Sequence, residues 1–249
     1  MEPPVRPSGK VALVTGSSRG IGAATAVLLA KAGVDAAVNY RNKRSRAEKV
    51  AEQIRALGRR ALPVQADLTD ADQTRRMFDQ IRETFGRLDV LVLNASGGLE
   101  RDVPADYAMR LNRDAQMRAV DLALPLMPDG GRIVFVTSHY AHFYPDKAVL
   151  PAYEPVAASK RAGEDALRDR ISELVDRGVT LVVVSGDMII GTITATLLEH
   201  ANPGLTEHRQ EMVGGALPTV EEFAAAVADA AVTPAIDNGM TIFIGSTNA

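Results

Sequence analysis

The chain of 249 residues contains no cysteine. Disulfides, thiolate nucleophiles and cysteine-ligated zinc are thereby excluded, and a reducing, cytoplasmic setting is the expectation. A basic excess is lacking too, since the formal net charge is -3. A nucleic-acid partner calls for a surplus of Lys and Arg to neutralise phosphates, so none is expected. No apolar run reaches the ~20 residues of a bilayer-spanning helix, and no membrane partner is expected. Residues 1–8 are proline-rich without the apolar core of a signal peptide. They read as a flexible tail ahead of a single domain over residues 9–249. His139 and His142 have no convincing acidic partner nearby, so no metal site is expected.

What the chain does have is alternation. Short apolar, strand-like runs occupy 10–15, 35–40, 61–66, 88–94, 132–137, 179–184 and 240–244. Helical periodicity occupies 20–32, 46–57, 70–85, 105–126, 156–175 and 219–231. This order implies an α/β fold, a doubly wound parallel sheet of about seven strands with helices on both faces. Ligands of such sheets sit beyond the C-terminal strand ends. Thr15, Asn39, Asp67, Asn94, Ser138 and Ser185 fall at those ends.

The first strand runs into Thr15-Gly16-Ser17-Ser18-Arg19-Gly20-Ile21-Gly22. Glycines at this spacing let backbone approach a phosphate, and the helix N-terminus that follows stabilises its charge. Gly16, Ser18, Arg19, Gly20, Ile21 and Gly22 are therefore candidate binders of a dinucleotide pyrophosphate. NAD-type cofactors usually meet an acid at the end of the second strand. Here the stretch reads Val38-Asn39-Tyr40-Arg41-Asn42-Lys43-Arg44, with no acid before Glu48. Arginines pair with the extra phosphate that a carboxylate would repel. Asn39, Tyr40, Arg41 and Arg19 thus point to NADP(H).

The glycine turn, Asp67-Leu68, the run from Gly86 to Ala95, Asn112, Ala158-Ser159-Lys160 and Gly239-Met240-Thr241-Ile242 occur in order. Together they resemble the short-chain dehydrogenase/reductase family. The resemblance implies a Rossmann-type catalytic domain. It implies that Asp67 and Leu68 flank an adenine and that Asn94, Ala95 and Ser96 lie along the cofactor. It also implies that Asn112 holds a water in a proton relay and that Ser138 hydrogen-bonds the substrate oxygen. Lys160 would lower a tyrosine pKa and hold the ribose. Gly186 and Thr192 would touch the nicotinamide side, with helix capping as the competing role for Thr192. Relatives commonly pair through two long helices, so a homodimer or homotetramer is expected.

Several positions depart from the family pattern. Val156 stands four residues before Lys160, where the family places its tyrosine; Tyr153 stands seven before it. Seven residues are almost two helical turns, so Tyr153 and Lys160 still share a face. This spacing resembles the enoyl-acyl carrier protein reductase branch. Tyr140 and Tyr144 are alternative proton donors within a 139–147 segment expected to wall the substrate. Ser185 replaces a family proline, the 94–112 connection is short, and the stretch up to Gly215 reads as a mobile lid. Two functions remain open. One is an NADP(H)-dependent reductase of a ketone or carbonyl-conjugated alkene (3-oxoacyl- or enoyl-reductase-like), taking a small-molecule or acyl-thioester substrate. The other is a catalytically silent NADP-binding sensor or scaffold.

Overall fold

The computed structural model describes residues 9–100 and 102–247; the expected tail at 1–8 lies outside the described residues. Seven strands pair in parallel: β1 (Val11–Val14), β2 (Asp35–Tyr40), β3 (Ala61–Gln65), β4 (Val90–Leu93), β5 (Arg132–Ser138), β6 (Thr180–Gly186) and β7 (Met240–Ile244). Their order is β3-β2-β1-β4-β5-β6-β7. The chain builds outward from β1 in one direction and from β4 in the other. The crevice between β1 and β4 is thus the switch point at which ligands bind.

The central strands are buried on both faces, which explains why apolar residues occupy nearly every position of β1, β4 and the middle of β5. Leu13, Leu91, Ile133 and Leu181 point to one face, against α3 (Ala71–Phe85), α5 (Ala115–Ala123) and α7 (Glu154–Arg168). Val14, Val92, Val134 and Val182 point to the other, against α1 (Gly20–Lys31), α2 (Arg44–Ala56) and α11 (Val220–Val232). Each such buried side chain contributes roughly 1.5–3 kcal/mol of transfer free energy.

Local chemistry sets the helix ends. The Asp70 side chain accepts hydrogen bonds from the Asp72 and Gln73 amides, so the expected acidic start of α3 is its N-cap. Thr219 and Glu222 form a capping box on α11. At the other end of α11, the buried Arg132 guanidinium donates to the Ala230 and Thr233 carbonyls, where a cation complements the helix dipole.

Two expected long helices are broken. The 105–126 stretch becomes α4 (Tyr107–Met109), a π turn (Arg110–Asp114), α5 and a 3-10 turn (Leu124–Leu126) that contains Pro125. The 156–175 stretch starts earlier, with Pro155 in the first turn of α7, and breaks at Asp169–Arg170 before α8 (Ile171–Asp176). The short α6 (His139–His142) follows β5, while α9 (Ile193–Ala201) and α10 (Leu205–Val213) fill the expected lid. Among the described residues, no helix is long and apolar enough to cross a membrane.

Candidate active site

A cavity of about 550 Å³ opens along the C-terminal ends of β1, β4 and β5. Gly16, Ser18, Arg19, Gly20, Ile21 and Gly22 line one end, with Asn39, Tyr40, Arg41, Asp67 and Leu68. Asn94, Ala95 and Ser96 line its middle, and Ser138, Tyr153, Lys160 and Thr192 its other end.

The glycine turn is shaped by backbone needs. Gly16 and Gly20 have φ of 63° and 56°, a region that favours glycine. A Cβ on Gly22 would lie 2.6 Å from Asn94 Nδ2 and 2.8 Å from the Gly16 carbonyl oxygen. The turn is braced from outside. Thr15 Oγ1 accepts from the Asn94 and Ala95 amides, and Ser17 Oγ donates to the Val14 carbonyl at 2.6 Å. No side chain caps α1, and its first turn carries no acid. Its terminal N–H groups are left for an anion. A pyrophosphate therefore fits the residues present.

Asn39, where an acid would select NAD, turns its side chain inward. Its Oδ1 accepts from the Gly16 amide at 3.0 Å, and its Nδ2 donates to the Ala66 carbonyl. It is a brace as well as a lining residue. Asp67 closes a turn by accepting from the Thr69 amide and hydroxyl.

At the reaction end, Ser138 Oγ lies 3.0 Å from the Tyr153 hydroxyl. Ser138 also caps α6 by accepting from the Ala141 amide. Tyr153 is the residue immediately before α7 and is buried in a cluster with Ala141, Val156, Ala157 and Leu198. Burial pushes its phenol up, and the Ser138 hydrogen bond pulls it back only in part. Lys160, on α7, is buried too. Burial lowers its ammonium to about 8, against the attraction of Glu164 one turn on. Burial of Glu164 works to raise its carboxyl, but hydrogen bonds and charge from His142 and Arg168 outweigh that and hold it low.

Sequence expectation and structure part at several residues. The Asn112 side chain does not line the cavity. Its amide donates to the Gly97 carbonyl and Ser159 Oγ, and its Oδ1 accepts from the Gly97 amide. Asn112 therefore braces the π turn against α7, where a Cβ on Gly163 would lie 2.3 Å from its carbonyl oxygen. Gly186 also lies away from the main cavity, in β6; a Cβ there would meet Phe223 at 2.5 Å, so its role is packing. Thr192 lines the cavity while capping α9 through the Ala195 amide, so the capping role is present in the fold. Val156 packs beside Gly98, with the cluster that seats Tyr153.

The 139–147 wall narrows to Tyr140, whose ring centroid lies 5.9 Å from that of Tyr153. Tyr144 packs on the Tyr153 cluster without lining the cavity, and donates to Glu154 Oε1 at 3.3 Å. His139 pairs with Ser185 Oγ at 2.8 Å, and burial lowers its imidazole to about 4. No metal-holding cluster of His, Asp and Glu occurs among the described residues.

The sequence reading missed Tyr107, which bonds Arg41, and Asp187, which forms a buried ion pair with Arg209 of α10 at 2.9 Å. The partners are 66 and 22 residues apart, and no local pattern signals either pair.

Comparison with known proteins places these features. The short chain dehydrogenase family model matches residues 10–202. A short-chain dehydrogenase/reductase of Pestalotiopsis microspora is 34% identical over 227 residues, covering 87% of this chain and 84% of its own. Versicolorin reductase of Emericella nidulans is 38% identical over 186 residues, 72% of this chain and 69% of its own. Among solved structures, an angucycline C-6 ketoreductase with bound NADP is 32% identical, with a TM-score of 0.82 over 96% of each chain. The family-model match runs from the start of β1 to the end of α9, and the chain belongs to the short-chain dehydrogenase/reductase family of oxidoreductases.

Proposed function

We propose that this oxidoreductase is an NADP(H)-dependent ketoreductase, with Tyr153 as proton donor. The observation that carries the reading is the Ser138–Tyr153 hydroxyl pair at 3.0 Å, in one cavity with Lys160. Two hydroxyls this close suit a single substrate oxygen that gains negative charge.

The cofactor would be held by the Gly16–Gly22 cradle, with Arg19 and Arg41 at the adenosine end and Lys160 at the ribose. When bound, NADPH supplies a hydride. The protein does the rest. A substrate carbonyl oxygen seated between the two hydroxyls would take the Ser138 proton in place of the Ser138–Tyr153 bond. Tyr153 transfers its proton to the same oxygen. Carbonyl, hydride and proton together make the alcohol. The Lys160 ammonium favours the phenolate left behind, and solvent restores the proton.

The angucycline C-6 ketoreductase and a hydroxynaphthalene reductase among the relatives support a ketone on a fused aromatic ring system. Leu111, Tyr140, Met188 and Leu198 supply apolar and aromatic cavity walls for such a guest. A second reading, reduction of an enoyl thioester, is favoured by one feature alone, the seven-residue offset between Tyr153 and Lys160.

The test is NADPH consumption, followed by absorbance, with fused-ring ketones, 3-oxoacyl thioesters and enoyl thioesters. Turnover of ketones is expected, and Tyr153→Phe is expected to lower it ~10²–10⁴-fold. Faster turnover of enoyl thioesters than of any ketone would support the second reading. Unchanged ketone turnover in Tyr153→Phe would overturn the assignment. Tight NADPH binding with no turnover of any substrate would support a silent sensor or scaffold.

A further inference from the structure

Arg41 stands just after β2, at the adenosine end of the cavity. Its Nη1 donates to the Tyr107 hydroxyl at 2.6 Å. The two partners differ in freedom. Arg41 is exposed, whereas Tyr107 opens α4 and is packed into the core with Leu68, Leu93 and Leu111. The ring is the fixed post and the guanidinium the part it holds.

The nature of the partner matters. Arg60, Arg87, Arg168 and Arg209 each pair with a carboxylate, which cancels their charge. Arg41 is held by a phenol. Burial raises the Tyr107 pKa against the opposing pull of Arg41, so this partner stays neutral near pH 7. The guanidinium is therefore oriented without being neutralised. A guanidinium has five donor positions, and the single bond to Tyr107 leaves most of its fork for an anion. Two carboxylates share this wall, and both have other partners. Asp67 accepts from Thr69, and Glu100 accepts from the Gly98 amide at 2.6 Å.

We propose that Tyr107 is a specificity-determining positioning residue, which holds Arg41 ready for the 2′-phosphate that distinguishes NADPH from NADH. The inference rests on the NADP(H) reading above. An unrestrained arginine loses rotamer freedom when it grips a phosphate. A bond present before binding moves that loss to folding. The benefit goes only to a ligand that Arg41 contacts through the phosphate, so NADH gains nothing from it.

Isothermal titration of NADPH, NADH and the fragment 2′,5′-ADP tests this on the wild type, Tyr107→Phe, Arg41→Ala and the double variant. Tyr107→Phe is expected to weaken NADPH and 2′,5′-ADP about three- to tenfold, and to leave NADH within about twofold. Once Arg41 is alanine, Tyr107→Phe is expected to have no further effect. Three results would overturn the proposal: NADPH binding to Tyr107→Phe as tight as or tighter than to wild type, equal weakening of NADH, or additive effects of the two substitutions. Wild type binding NADH as tightly as NADPH would instead remove the cofactor reading beneath it.

Discussion

Replacing Lys160 by methionine should make the cofactor-free protein more stable while crippling it as a reductase. Lys160 is 7% exposed, and no hydrogen bond to its amine is formed among the described residues. Its pKa falls from 10.5 in the reference state to about 8 in the fold. At about 1.4 kcal/mol per unit, the buried charge costs roughly 3 kcal/mol wherever both states are protonated. The sign follows from proton counts. Between about pH 8 and 10.5 the unfolded chain binds the proton and the folded chain does not, so stability rises with pH across that window. The cost is full below about pH 8 and gone above the unfolded value. Methionine keeps the unbranched stem and removes the charge.

For a chain of this length about 3 kcal/mol corresponds to a Tm increase of roughly 6–12 °C. Thermal and urea unfolding of wild type and Lys160→Met, without cofactor, would be compared at pH 7 and near pH 10.5. The expected gap is large at pH 7 and shrinks at the higher pH. A variant no more stable than wild type at pH 7, or a gap independent of pH, would refute the reasoning. On the proposed mechanism the same titration would bear on activity, since the Lys160 ammonium is lost above about pH 8 in the cofactor-free fold.

Gly22→Ala places a methyl 2.6 Å from Asn94 Nδ2 and 2.8 Å from the Gly16 carbonyl. Because one of these atoms is backbone, the turn must shift; a loss of about 1–3 kcal/mol and of the thermal shift given by NADPH is expected, and an unchanged NADPH Kd would contradict it. We further propose that the chain forms a homodimer or homotetramer, as its family resemblance implies. Light scattering across a concentration series checks this, and a monomer at every concentration would refute it.

The strands were easiest to read from sequence, because burial on both faces leaves a composition that side-chain alternation does not complicate. β2 falls at the residues expected, 35–40, with every position buried; β7, also where expected at 240–244, is a partly exposed edge strand legible only from its apolar run. The glycine turn was readable for a related reason: its chemistry is local, and spacing alone carries it. Helix continuity was harder. Periodicity persists through the π turn at Arg110–Asp114, and what breaks the regular helix there is tertiary, the Asn112 side chain bridging Gly97 and Ser159. At the site, Tyr153 was readable from its offset to Lys160, but its distance from Ser138 depended on how the intervening segment folds. Tyr144, an alternative donor in sequence, bonds Glu154 instead. Arg41–Tyr107 and Asp187–Arg209 join distant segments and leave no trace in either.

The ion pair between Asp187 and Arg209 bears on how this scaffold could be re-engineered. Arg209 also donates to the Ser246 carbonyl, so α10 is stitched at once to the exit of β6 and to the segment beyond β7. A graft that swapped residues 193–213 for those of a relative, to change which guest is admitted, would strand a carboxylate in the interior. Transplants that carry position 187 with the helices keep the stitching whole, because residue 246 contributes only its backbone carbonyl.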